Sequence, residues 1–355
     1  MVSVLWSAAG KEVIAMIHWA RFYGICTTLM LLLMEPLIAT AQGSPDQKII
    51  DAAKKEGELI YYTTMTLDQS KIVVDRFQKK YGIKATLFRT GGGPLLNKIF
   101  TEARGGRYDW DIVVGRGEMV LPLIERKLVA SYRSPETKMI EEQLFDKEGY
   151  WTAYYVNSYV LGWNTQLVKK PDVPKTYEEL LNPKWKGGQI SVDTEAYGML
   201  EGLKRVWGKE KAVDYFKRLA ALDPVLKRGN TERVQLVVAG EYPLILAYNQ
   251  TIQRMNSRGA PIDWLPLEPA VTQVNPVMLA AKAPHPNAAR LFYDFVLSKE
   301  GQEMLRGFQR IPVRKDVEPD PPRLFRGFKI AVEDPEDYKD FDASVKQYLG
   351  IFKLR

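Results

Sequence analysis

Phe88-Arg89-Thr90-Gly91-Gly92-Gly93-Pro94-Leu95-Leu96 reads as the end of a strand, a glycine turn and the start of a helix. Three consecutive glycines let the backbone turn sharply and let a ligand approach it closely, and Pro94 suits the first helical position. Leu95, Leu96, Ile99, Phe100 and Ala103 follow at helical spacing. One face of the helix should therefore pack on a core, with the free N–H groups of its first turn aimed at whatever fills the glycine turn. Such an end favours anions. Arg89 before it, and Arg116 after Asp111-Ile112-Val113-Val114-Gly115, strengthen that preference. The same residues also fit a plain strand-to-helix turn with two solvent-facing arginines.

Working outward, residues 57–64 read as a buried strand, 68–80 as a helix whose Ile72, Val73 and Phe77 share a face, and 83–88 as a second strand. Strand, helix and strand at these lengths form a βαβ unit, which implies a parallel sheet with ligands at the carboxyl ends of its strands. Those ends are Thr63-Thr64, Arg89 to Gly93, and Gly115-Arg116. Residues 110–114 supply another strand and 119–126 another helix. The aromatic, strand-prone run 149–165 reads as the connection into a second lobe.

In that lobe a short helix at 177–181 precedes a turn at 182–188 and a strand at 189–192. Asp193 or Thr194 then caps a Leu- and Met-rich helix that includes Tyr197. Asn230 and Thr231 open a further helix, and a strand at 243–249 ends in Tyr248-Asn249. These helix starts and the strand end face the first lobe. Residues 276–281 return as a strand, 286–308 read as one long amphipathic helix, and Glu318 to Pro322 break the chain before a helical tail.

The chain has 355 residues, and its start has the order of a signal peptide. Lys11 and Arg21 precede an apolar run from Phe22 to Met34, and Ala39-Thr40-Ala41 marks a cleavage site after which the composition turns polar. Export to the bacterial periplasm follows. The one cysteine, Cys26, falls in the leader, so the exported chain must be held by its cores without disulfides. The net charge of +7 is dispersed over alternating signs, with no basic stripe interleaved with aromatics, and this argues against nucleic-acid binding. Past the leader His285 is the sole histidine, in a Pro-His-Pro turn. A lone histidine held between two prolines argues against a Ser/His/Asp relay, one is too few for a multi-histidine metal site, and a cysteine nucleophile is missing. The glycine turn lacks both the Lys-Ser/Thr of a P-loop and the spacing of a dinucleotide fingerprint. The expectation is a binding protein, with no catalytic residues, cofactor or metal ligands.

Several stretches together closely resemble the solute-binding proteins of ABC importers, in the group that includes the periplasmic ferric-iron-binding proteins. They are Gly57-Glu58-Leu59-Ile60-Tyr61-Tyr62, Phe77-Gln78-Lys79-Lys80-Tyr81-Gly82-Ile83-Lys84, Tyr108 to Val114, Asn182-Pro183-Lys184-Trp185-Lys186-Gly187, and Ala288 to Leu305. The resemblance runs from about Gln47 to Val317. It implies an α/β, two-lobed periplasmic-binding-protein fold of type II, with mixed sheets flanked by helices and a crossing-strand hinge. Lobe 1 would comprise 42–155 plus 273–315, and lobe 2 would comprise 156–272 plus 316–355. It also implies a monomer that delivers a small-molecule solute to an inner-membrane ABC permease. The iron-binding members use a histidine, a glutamate and adjacent tyrosines, and the matching positions here hold about Met65, about Arg116 and Tyr248-Asn249. Fe(III) wants anionic oxygen ligands. The expected solute is instead a small anion bearing phosphate, phosphonate or carboxylate, gripped by Arg89 and Arg116. The expected ligand contacts are Thr63, Thr64, Arg89, Gly91, Gly92, Arg116, Asp193, Thr194, Tyr197, Asn230, Thr231 and Tyr248. A ferric-iron carrier and a periplasmic sensor subunit on the same fold are the alternatives.

Overall fold

The computed structural model describes residues 46–354, so the leader and its cleavage site lie outside the described residues. Twelve strands follow in chain order: β1 (Glu58–Thr63), β2 (Lys84–Arg89), β3 (Ile112–Val114), β4 (Val129–Ala130), β5 (Thr152–Asn164), β6 (Ile190–Asp193), β7 (Val225–Lys227), β8 (Leu244–Tyr248), β9 (Ile262–Leu265), β10 (Ala270–Ala280), β11 (Ile311–Pro312) and β12 (Ile330–Val332). Eight of them line up as β2-β1-β3-β10-β5-β8-β6-β7, while β4 and β12 pair with β10, and β9 and β11 with β5. β2, β1 and β3 run parallel, as the βαβ reading requires, and β10 lies antiparallel between β3 and β5.

The thirteen residues of β5 are all buried, and that one strand serves two sheets. Its first half pairs with β10, from Ser158 back to Thr152, and its second half pairs with β8 and β9, from Tyr159 to Asn164. The chain therefore changes sheet at Ser158 and Tyr159. Asn249 pins that crossover. Its Oδ1 accepts the Ser158 N–H at 3.3 Å, while its Nδ2 donates to the Leu324 carbonyl at 2.7 Å. One apolar core surrounds the first sheet, with Tyr61, Phe77, Trp110, Phe292 and Phe295 among its buried residues. A second, around β6 and β8, gathers Trp163, Tyr177, Leu200, Phe216, Tyr348 and Phe352.

Some boundaries differ from the sequence reading for definite reasons. The Gly92–Arg104 helix takes Pro94 as its third residue, where its missing N–H is still one of the first-turn donors that lack an intrahelical acceptor. The 286–308 helix is two helices, Pro286–Leu297 and Lys299–Gly307. The break falls at Ser298, whose hydroxyl caps the second helix through the Gly301 N–H at 3.2 Å. Gly301 sits so close beneath the Phe295 carbonyl that a Cβ would lie 2.3 Å from it. The return strand starts six residues earlier than Pro276, at Ala270, because residues 270–272 also pair in parallel with β12. That strand interrupts the expected helical tail, which ends in Phe341–Ile351. His285 caps the Pro286 helix from a tie to Asp111: its N–H donates to Asp111 Oδ1 at 2.6 Å, and its Nδ1 lies 2.9 Å from Oδ2.

Candidate functional site

β5 and β10 supply the floor of a polar cavity of about 230 Å³. Side chains alternate along a strand, so Tyr155 and Asn157 share one face of β5, and their cross-strand partners Asn275 and Gln273 share the same face of β10. Thr64, Thr66 and Arg89 come from the ends of β1 and β2, and Arg116 follows β3. On the other side stand Gly229 to Glu232 and Tyr248, with Gln250, Thr251 and Arg254 from the helix Asn249–Asn256. Arg310 closes one end, its guanidinium 4.2 Å above the Tyr155 ring and its Nε donating to Gln69 Oε1 at 2.7 Å.

The lining thus holds four arginines and one carboxylate, Glu232, which is already paired with Lys227 at 2.9 Å. Among the described residues no carboxylate stands within ion-pair distance of Arg89, Arg254 or Arg310. Burial, followed by the nearby Arg310 charge, pulls the Arg254 pKa down to about 10. Arg116 differs from these three. Glu118 and Glu195 each approach its Nη1 to 3.7 Å, so its charge is largely matched within the protein. Four buried polar atoms of the lining, on Thr66 (Oγ1), Asn157 (Oδ1), Gln250 (Oε1) and Asn275 (Nδ2), have no partner among the described residues. Such an atom costs about 1–3 kcal/mol when left unpaired, and the clustering of four points to a polar guest.

Of the residues expected from the sequence, the structure brings Thr64, Arg89, Arg116, Asn230, Thr231 and Tyr248 to this cavity. Six others lie outside its lining. Thr63 is buried, and its hydroxyl is engaged by the Tyr61 hydroxyl and the Met65 N–H, each at 3.0 Å. The glycine turn is shorter than expected: Gly91 is the N-cap and Gly92 already the first residue of the helix, and Arg116 and Glu118 stand beside Gly92, so an internal carboxylate is already at that helix start. Asp193 accepts from the Glu195 N–H and from Arg233, and the helix it was expected to cap starts later, at Tyr197 behind Ala196. The Thr194 N–H donates to the Lys227 carbonyl at 3.3 Å. Tyr197 packs edge-on against Tyr348 and Phe341.

Sequence reasoning missed the amides on the floor, the Gln250 to Arg254 helix face, and Arg310. A usable signal existed for one group: Tyr248-Asn249-Gln250-Thr251 turns polar at a strand end, with Arg254 one helical turn on.

Beside the floor lie two buried acids, Glu333 and Glu118. Glu333 accepts from the Val274 N–H at 3.0 Å and the Tyr338 hydroxyl at 2.7 Å, and one of its oxygens would clash with any side chain at Gly117. Burial, reinforced by Glu118, holds the Glu333 carboxyl well above its usual range, and burial also raises Glu118. Nearby, the Tyr159 and Tyr248 hydroxyls lie 3.1 Å apart, and burial raises both phenols. Among the described residues no three His, Cys, Asp or Glu side chains cluster as a metal site would need.

Comparison with known proteins agrees with this architecture. The chain is 24% identical to the Synechocystis protein named iron uptake protein A1, over 80% of this chain and 83% of that one. The periplasmic binding protein AfuA from Actinobacillus pleuropneumoniae, described with exogenous fructose-6-phosphate bound, superimposes with a TM-score of 0.74 at 25% identity. The match covers 84% of this chain and 99% of that one. Iron-bound HitA from Pseudomonas aeruginosa shares the fold with a TM-score of 0.74 at 21% identity, over 83% of this chain and 99% of that one. Residues 110–327 match the family model described as bacterial extracellular solute-binding protein, and the chain belongs to that family.

Proposed function

We propose that this protein is the periplasmic solute-binding component of an ABC importer, and that it captures a small anionic solute, preferentially a phosphate ester, for an inner-membrane permease. The observation that carries this reading is the convergence of Arg89, Arg254 and Arg310 on one cavity without a carboxylate to pair them. A guanidinium grips a phosphate through two parallel N–H bonds, and a dianion answers uncompensated positive charge better than a monoanion does. The unpaired acceptors Asn157 Oδ1 and Gln250 Oε1 suit hydroxyl groups on the rest of the solute. The fructose-6-phosphate described with AfuA has both features. On this reading the two sheets are the cores of two lobes that close over the solute by bending β5 and β10, because only the closed form lets both sides touch it.

Ferric iron is the second reading, favoured by the names of relatives such as the Fe(3+)-binding periplasmic protein of Serratia marcescens. Two features speak against it. Arginines outnumber carboxylates in the cavity, and burial disfavours the tyrosinate forms of Tyr159 and Tyr248 that an Fe(III) site would use.

A thermal-shift screen of protein stripped by unfolding and refolding tests the choice. The panel is orthophosphate, fructose-6-phosphate, phosphonates, carboxylates, polyamines, and Fe(III) with bicarbonate. A ligand at about 100 times its Kd adds about 2.7 kcal/mol, a shift of several degrees. The expected result is a shift with the phosphate ester. A shift with Fe(III) or a polyamine alone overturns the proposal.

A further inference from the structure

At one edge the two sides of the cleft touch through charge. Arg116 follows β3 of the first sheet, whereas Glu195 and Arg228 follow β6 and β7 of the second. Glu195 Oε1 lies 2.9 Å from Arg228 Nε, and its Oε2 lies 3.7 Å from Arg116 Nη1. Arg228 reaches further across, since its Nη2 is only 2.7 Å from where a Cβ on Gly91 would stand. The Glu195 backbone is itself fixed, its N–H donating to Asp193 Oδ1 at 3.0 Å. Neither Glu195 nor Arg228 lines the cavity.

We propose that Glu195 and Arg228 form a closure latch: positioning residues that hold the two walls together at Arg116 and Gly91, and so set how long a solute stays without touching it. Hinge opening would carry Arg116 and Gly91 away from Glu195 and Arg228, so the full contact exists only in the closed form. An interaction made in one of two states shifts their populations by its own free energy. Glu195 and Arg228 keep 22% and 53% of their side-chain surface exposed, so the effect is modest and screened by salt. The absent side chain at Gly91 gives Arg228 the room it needs, which supplies a steric variant independent of charge.

The inference rests on the solute-capture reading, and the experiment separates the two. The full chain is compared with Glu195→Gln, Arg228→Gln, the double variant and Gly91→Ala. The readouts are the fructose-6-phosphate dissociation rate, followed by tryptophan fluorescence, and the solution radius of gyration of the ligand-free protein, each at low and high salt. Either charge variant should release the probe about two- to fivefold faster at low salt, with no difference at high salt. The double variant should be no faster than Glu195→Gln, because Arg228 serves the crossing contact of Glu195 with Arg116 by holding Glu195 through their ion pair. Gly91→Ala, which has only the flexible tip of Arg228 to displace, should speed release by less than either charge variant. An unchanged release rate, or single effects that simply add, overturns the latch. If the probe does not bind, the capture reading fails and the radius decides: a larger ligand-free radius in Glu195→Gln than in the parent supports the latch, and equal radii overturn it.

Discussion

Arg233 and Arg310 are both buried, in regions that treat a charge in opposite ways. Behind the second sheet, Arg233 donates to the Leu246 carbonyl at 3.0 Å, the Ser191 carbonyl at 3.4 Å and Asp193 Oδ2 at 3.1 Å. At the cleft, Arg310 donates to a neutral amide, lies over an aromatic ring, and has no carboxylate within ion-pair distance among the described residues. A buried cation without an anion is expensive. Where the protein supplies the counter-charge, the arginine is part of the scaffold. Where it leaves the charge open, a solute can supply it.

The largest test of that contrast is Arg233→Met. It strands the Asp193 carboxylate, 6% exposed, without its cation, and should cost about 3–5 kcal/mol in urea unfolding. A loss under about 1 kcal/mol would remove Arg233 from the scaffold. Asp294 probes a third way of settling a buried charge, by a proton. Among the described residues only its Oδ2 is hydrogen-bonded, to the Tyr132 hydroxyl at 2.8 Å, and burial pushes its pKa from 3.8 to about 6. The folded value lies above the unfolded one, so the fold favours the protonated form. This contribution is complete below about pH 4 and is lost as the pH rises towards 6. At about 1.4 kcal/mol per pH unit it amounts to about 3 kcal/mol over that window. Asp294→Asn should lack this loss, seen as a gain over the parent that grows between pH 4 and 7. A gap independent of pH would show that Asp294 stays ionised.

The same contrast explains what was legible in the sequence. The βαβ start, the long aromatic strand and the motifs around Ala288 to Leu305 identified the fold, because strand and helix periodicity is written locally. The candidate site was half legible. Thr64, Arg89, Arg116, Asn230, Thr231 and Tyr248 sit at strand ends and helix starts, which the topology carries to one edge. Asp193 looked the same, yet Arg233, forty residues away, claims its carboxylate. Arg310 had no motif to mark it, since its role comes from β11 pairing with β5 and setting it above Tyr155. Whether a charge is matched or open depends on contacts distant in sequence, and no local pattern reports them.

The cleft side of the contrast can be sharpened at two sites. Arg310→Met should weaken phosphate-ester binding about 10- to 100-fold in calorimetric titration, the worth of one charge-assisted hydrogen bond to an anion. An unchanged affinity would move the anion's seat away from the Tyr155 end. The smallest expected effect is also the most discriminating. Arg254 is half-buried, has no carboxylate within ion-pair distance among the described residues, and is depressed by burial and then by the neighbouring Arg310, so in the empty cleft its charge opposes folding. Arg254→Met removes that charge while keeping most of the apolar stem. The ligand-free protein should therefore gain about 1 kcal/mol, a rise of about 2 °C in Tm, even as the shift produced by a phosphate ester shrinks. Higher stability with weaker binding is the signature of a group kept for its ligand. If Arg254→Met instead lowers the ligand-free Tm as Arg233→Met does, Arg254 belongs with the scaffold, and the open positive pole of the cleft reduces to Arg89 and Arg310.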